Sequence, residues 1–222
     1  LSERQCNQIQ GPAITATFRK LRMEERFPRD AMFAPLDRHG LGAAHLYDIQ
    51  GTLKVAALAK QAAHPSLTTK LAKTLIELSK VERGIGGGLF ETARPRQMDE
   101  TLTPTWMTTT KHFMQENGIE IAEETPDLQL RREHDRYLSD IAEAARLTKA
   151  ERKRFKQCRL FLQATTIADI TTADGRRLLP GIKDGRRHDS RRRYYSFPYQ
   201  PPPTAKALTV WRKVLRTFST SE

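Results

Sequence analysis

Three observations predict a mostly α-helical chain. Apolar residues recur at helical spacing in separated segments, as in Leu46, Ile49, Leu53, Ala57 and Leu58 or in Leu208, Trp211, Leu215 and Phe218. Residues that start helices stand ahead of such segments, namely Ser2, Ser66, Thr148 and Thr204. Alternating apolar and polar residues, the mark of a strand, are scarce. The expectation is a helical bundle with minor short β pieces and a basic C-terminal loop region.

Taken in order, Ser2 caps a short helix bearing Cys6 and Ile9, which Gly11-Pro12 is expected to interrupt. Pro12 lacks an N–H, a small loss in a first turn, so it restarts a helix through Ile14, Phe18 and Leu21. Residues 27–35, with prolines toward both ends, suit an extended segment. Asp37-Arg38-His39-Gly40 supplies turn chemistry before the stripe that opens at Leu46. Ser66 caps a helix whose apolar repeat is Leu67, Leu71, Leu75 and Leu78, and glycines from Gly84 to Gly88 end it. Pro104 opens a helix with Trp106, Thr110 and Phe113 on one face, ending near Asn117-Gly118. Ile119 and Ile121 give a weak strand signal.

Residues 127–145 read as a charged helix that turns Leu130, His134, Tyr137, Leu138 and Ile141 inward. Thr148 and Glu151 match a capping box, in which each side chain satisfies the other's backbone donor. The helix they open carries Phe155, Cys158, Phe161, Leu162 and Thr165. A turn at 173–176 precedes a short strand at Leu178-Leu179, and 186–195 is too charged to bury. Four prolines within 198–203 exclude helix there, and Thr204 caps the last one. Three regions are expected: helical 1–118, an acidic connecting region 119–146, and a basic region 147–222.

Composition narrows the function classes. Of 222 residues, 38% are apolar and 29% charged, polar for a globular chain. No apolar run approaches the roughly 18 residues that cross a bilayer, and no signal peptide is visible. Cys6 and Cys158 offer neither a disulfide framework nor half of a metal site, which fits an intracellular setting, nucleus or cytoplasm. Charge is the strongest bulk signal, with 38 Lys and Arg against 26 Asp and Glu, a net +12. Residues 149–193 hold 14 basic and 5 acidic side chains, whereas 116–143 hold 9 acids and 3 arginines. A basic surface set apart from an acidic one points to a polyanion partner, nucleic acid first.

The candidate contacts follow from that excess. Lys153, Arg154, Lys156 and Arg159 share one helix, and Arg176, Arg177, Lys183, Arg186, Arg187, Arg191, Arg192 and Arg193 follow on loops. A guanidinium fork holds phosphate through parallel hydrogen bonds, and Tyr194, Tyr195, Phe197 and Tyr199 could stack on unpaired bases beside it. The competing reading is a solvated charged loop or an import signal. If about five phosphates are neutralised, log affinity on duplex falls with log salt at a slope of roughly −4 to −5.

Other constellations carry less. The run at 84–91 lacks the Lys and Ser/Thr spacing of a phosphate loop and follows a helix, so it reads as a helix stop. His39, His45, His64, His112, His134 and His188 show no zinc spacing, and no metal site is expected. Arg132-Glu133-His134-Asp135 holds acid–base residue types, yet consecutive helical residues diverge by about 100° and do not converge unaided. No self-contained catalytic residues emerge. A nuclease working through Asp135, Asp140 and Asp169 would need a divalent-metal cluster, and a self-standing binding or scaffold protein is the other alternative.

One stretch is unusual in its order: PRDAMFAPLDRHGLGAAHLYDIQ, residues 28–50, with Gly40-Leu41-Gly42 closing a turn ahead of Leu46, Tyr47 and Gln50. It resembles the segment just downstream of the polymerase palm in reverse transcriptases of non-LTR-type retroelements. The likeness continues at 53–58, at Gly86-Gly87-Gly88-Leu89-Phe90-Glu91, at 132–135, at Cys158-Arg159-Leu160-Phe161-Leu162-Gln163 and at 167–170. The family turn usually has two adjacent glycines preceded by a lysine, where this chain has His39-Gly40 and Leu36. No Tyr-x-Asp-Asp occurs, so the resemblance implies a thumb-like downstream piece of a larger protein, and the chain begins without methionine. It further implies that Gly40, Gly42, Leu46 and Gln50 help seat the thumb on an upstream palm of the same polypeptide. That palm would hold the divalent metals, leaving no cofactor in this region. The implied partners are RNA, DNA or an RNA–DNA hybrid.

Overall fold

The computed structural model describes residues 1–24, 27–62, 66–91, 96–122, 128–187, 197–198 and 200–219. The chain is mostly helical: among these residues lie eight α-helices, short 3-10 turns and two isolated β-bridges, Tyr137 with Thr166 and Thr171 with Leu178. It divides into two compact units, 1–63 and 64–222, a divide that falls inside the stretch 1–118. None of the described helices is long and apolar enough to cross a membrane.

In the N-terminal unit, Ser2 and Gln5 form the capping box of α1 (Glu3–Lys20). The helix passes through Gly11-Pro12 unbroken, contrary to expectation. Pro12 and Gln8 both lie on the exposed face, where water can serve the carbonyl that the missing N–H leaves behind. Ile14 and Phe18 form a small core with Met32 of α2 (Arg29–Phe33). This helix replaces the expected extended segment, because the prolines flank the turn and Pro28 occupies its N-cap.

A 3-10 turn, Leu36–Arg38, then folds the chain back, with Leu41 N–H on Ala31 O at 3.0 Å and Ala43 N–H on Met32 O at 3.0 Å. Gly40 is required by close approach, since a Cβ there would sit 1.9 Å from Ala34 O. Gly42 is required by its φ of +63°. The Leu46 N–H at the start of α3 (Leu46–Ala62) donates to Gln10 Oε1 at 2.9 Å. Gln50 exchanges two hydrogen bonds with the Leu1 backbone. The stripe expected on α3 is buried only in part: Leu58 is buried, along with Gly51, and Leu46 is half-buried, whereas Ile49 and Leu53 are exposed.

The C-terminal unit comprises α4 (Leu67–Arg83), α5 (Trp106–Glu116), α6 (Leu138–Ala144), α7 (Lys149–Leu162) and α8 (Ala205–Ser219). Its core joins Leu138 and Ile141 of α6, Phe155, Cys158 and Leu162 of α7, and Val210, Trp211 and Val214 of α8. Phe155 and Trp211 stack with ring centroids 5.6 Å apart, so the C-terminal stripe docks on α7. Burial of each such large side chain stabilises by about 1.5–3 kcal/mol. The side chain of Phe218 lies outside the described residues.

Four expectations are corrected here. On α4, Leu67 and Leu71 are 74% and 58% exposed, and the buried face is Thr69, Ala72, Ile76, Ser79 and Arg83. That face ends in a cation with many carbonyl partners, a polar demand that leucine counting does not register. On α5, Thr110 and Phe113 are buried as expected, with Met107 and Met114, but Trp106 is 37% exposed, and Thr105, one residue after Pro104, is the cap. Residues 128–137 are irregular rather than helical. His134 has φ +60°, and the Asp135 carboxylate accepts the N–H groups of Arg131, Arg136 and Ala168, which pins a loop instead. Residues 119–122 form no strand.

Candidate nucleic-acid interface

The basic surface is assembled by local loop chemistry and then fixed by α8. Thr172 N–H donates to Arg177 O at 2.8 Å, closing a tight turn with Arg176 and Arg177 exposed at its end. Gly181 and Gly185, at φ +75° and +72°, bracket a 3-10 turn, Ile182–Asp184, and Arg186 N–H closes back on Gly181 O at 3.0 Å. Burial of Trp211 then sets the register of α8, with its indole N–H on Ile182 O at 2.9 Å.

The next residue, Arg212, lands on the same turn. Its Nε donates to Lys183 O at 3.0 Å and its Nη2 to Asp184 Oδ1 at 2.9 Å. Arg216 follows one helical turn on. Lys183, Arg212 and Arg216 thereby line a partly enclosed cleft of about 170 Å³ with Leu178 and Leu215. Arg186 and Arg187 are exposed just beyond it in sequence. The α8 segment 205–219 carries Lys206, Arg212, Lys213 and Arg216 and no acid.

Not every expected contact points outward. Lys153 is exposed on α7, outside the cleft lining. Arg159 is 1% exposed, so its expected role on phosphate gives way to a structural one: its guanidinium donates to Val81 O and Glu82 O at the end of α4, and to Ala164 O. Burial lowers it to about 10, against the pull of Glu82 and Asp169, which leaves it charged at neutral pH. Lys156 is likewise drawn inward, onto Glu82 Oε1 at 2.6 Å and onto Thr101 O. Arg191, Arg192, Arg193, Tyr194 and Tyr195 lie outside the described residues, as do His188 and Tyr199.

Sequence reasoning missed Arg212 and Arg216 as contacts. A signal was present: i, i+4 cations flanking the apolar stripe of a helix without acids. The inward turn of Arg159 was also legible, because Phe155, Cys158, Arg159 and Leu162 share one helical face.

The glycine run does not cradle an anion. Its carbonyls converge instead on the Arg83 guanidinium, which donates to Gly87 O at 2.5 Å, Gly88 O at 3.2 Å, Gly86 O at 3.3 Å and Ile85 O at 3.4 Å. That polarity is the reverse of a phosphate nest, in which backbone N–H groups point at the ligand. The carboxylates of the nuclease reading are committed elsewhere. Asp169 accepts from Thr165 N–H at 2.6 Å, Thr166 N–H at 2.9 Å and Arg131 Nε at 2.9 Å. Asp140 pairs with Arg96 at 3.3 Å, and partial burial raises its pKa against the pull of Arg96. Among the described residues, no group of three or more His, Cys, Asp or Glu side chains is placed to hold a metal ion.

No family model matches the chain, and no curated protein or solved structure is found similar to it.

Proposed function

We propose that this chain binds a phosphate polymer, RNA, DNA or their hybrid, through the surface built by the 3-10 turn Ile182–Asp184 and the flank of α8. The observation that carries this reading is the convergence of Lys183, Arg212 and Arg216 from two elements on one cleft, with exposed Arg186 and Arg187 following in the chain. Surface cations of no function have no need of a shared cleft, and Arg212 is already oriented by two hydrogen bonds. Set beside the sequence resemblance, the role is noncatalytic: a post-palm region of a retroelement reverse transcriptase that holds primer–template or element RNA while an upstream palm performs the chemistry. The same surface would also serve a self-standing binding protein. An upstream reading frame bearing Tyr-x-Asp-Asp separates the two.

The test is affinity against salt, read by fluorescence anisotropy on RNA, DNA and hybrid. Five cations give a log–log slope of about −4 to −5 on duplex and about −3.5 on a single strand. Charge reversal with R212E and R216E together should weaken binding at least tenfold at low salt and flatten the slope by about 2, while loss of the exposed Arg212–Asp184 pair lowers thermal unfolding by at most a few degrees. Undiminished affinity in that variant would remove the surface from consideration.

A further inference from the structure

The cleft has a feature that phosphate binding alone does not use. Part of its lining is apolar, half-buried Leu178 from the turn after Thr171 and buried Leu215 from α8, whereas the three cations that share it are exposed. At about 170 Å³ it is smaller than the roughly 300–1,000 Å³ of drug-sized pockets and suits a single ring system. Arg212 spends two donors on Lys183 O and Asp184, and a guanidinium carries five, so it can still grip a phosphate while its plane stays fixed. Lys183, Arg212 and Arg216 together with Asp184 sum to a formal charge of +2.

A duplex keeps its bases stacked inward and offers only its phosphate ridge, which gains nothing from an apolar leucine surface. An unpaired nucleotide offers both parts, a flat base that can be splayed out and a phosphate beside it. Resting on the phosphate-binding reading above, we propose that this cleft seats one unpaired nucleotide, its base against Leu178 and Leu215 and its flanking phosphate on Lys183, Arg212 and Arg216. The surface is thus selective for single strands or overhanging ends over blunt duplex, without choosing the base, since leucine faces offer no hydrogen-bond code.

The experiment compares four ligands of equal length on the full chain at low salt: a single-stranded RNA, a single-stranded DNA, a fully abasic strand and a blunt duplex. Both single strands should bind about tenfold more tightly than the abasic strand, with the duplex no tighter than the abasic strand. L178Q, which removes apolar character but neither charge nor much volume, should erase that advantage and leave duplex affinity as it was. The ligand comparison on the unaltered chain stands even if L178Q misfolds. Equal binding of all four overturns the nucleotide seat while the phosphate-binding reading survives. Binding of none overturns both.

Discussion

Arg159 shows what one residue does when its charge is turned inward. A buried guanidinium is costly to desolvate unless its donors are satisfied, and here Nη2 serves backbone carbonyls where α4 ends and Nη1 serves Ala164 O, while Nε is buried without a partner. Gly84, with φ +67°, ends that helix directly over the guanidinium, and a Cβ there would lie 2.5 Å from Arg159 Cζ. Glycine is thus demanded twice, by backbone conformation and by space. Nearby, Glu82 accepts from Thr103 N–H at 2.9 Å, Thr103 Oγ1 at 2.7 Å and Lys156 Nζ at 2.6 Å, so the tie between α4 and α7 is polar as well as apolar. Arg159→Ala should lower unfolding free energy by about 3 kcal/mol or more, measured by urea titration, because it orphans buried carbonyls and opens a cavity. Nucleic-acid affinity of the folded fraction should not change. A loss of affinity with stability intact would return Arg159 to the phosphate-contact set.

The start of α7 shows why some elements were readable and others were not. Thr148 and Glu151 close their capping box with residues three apart, and Ser2, Ser66 and Thr204 act at the predicted helix starts in the same local way. Local chemistry needs no tertiary partner, so sequence suffices. The face a helix buries depends on distant segments, which is why the leucines of α4 mislead. The loop 128–137 depends on Asp135 reaching Ala168, across 33 residues, and no local signal carries that. Glu151 adds a testable pH response. Its bonds to Lys213 and Thr148 hold its pKa at about 2, below the ordinary 4.5. The depressed carboxylate stabilises the fold above pH 4.5, and that contribution disappears as pH falls toward 2. E151Q should therefore melt below the unaltered protein at pH 6 by at most a few degrees, with the two curves merging near pH 2. Constant separation across that range would refute the pairing.

For the molecule as a whole, the class of fold and the excess of positive charge were legible, because both are summed over many residues. The cleft was not, because Leu178, Lys183 and Arg216 meet only after Trp211 finds its place against Phe155. A division at 63/64 was hidden too, since helical patterning is alike on both sides of it. That division gives the two cysteines a use that has nothing to do with their own chemistry. Cys6 belongs to one unit and Cys158 to the other, and both are buried, with Cys158 held at a pKa of about 12 by its apolar surroundings. An alkylating reagent can reach either sulfur only when its surroundings open. The chain thus contains a pair of clocks: mass-spectrometric labelling rates at the two thiols should time the opening of each half separately, and equal rates under all denaturant conditions would mean that the halves open as one.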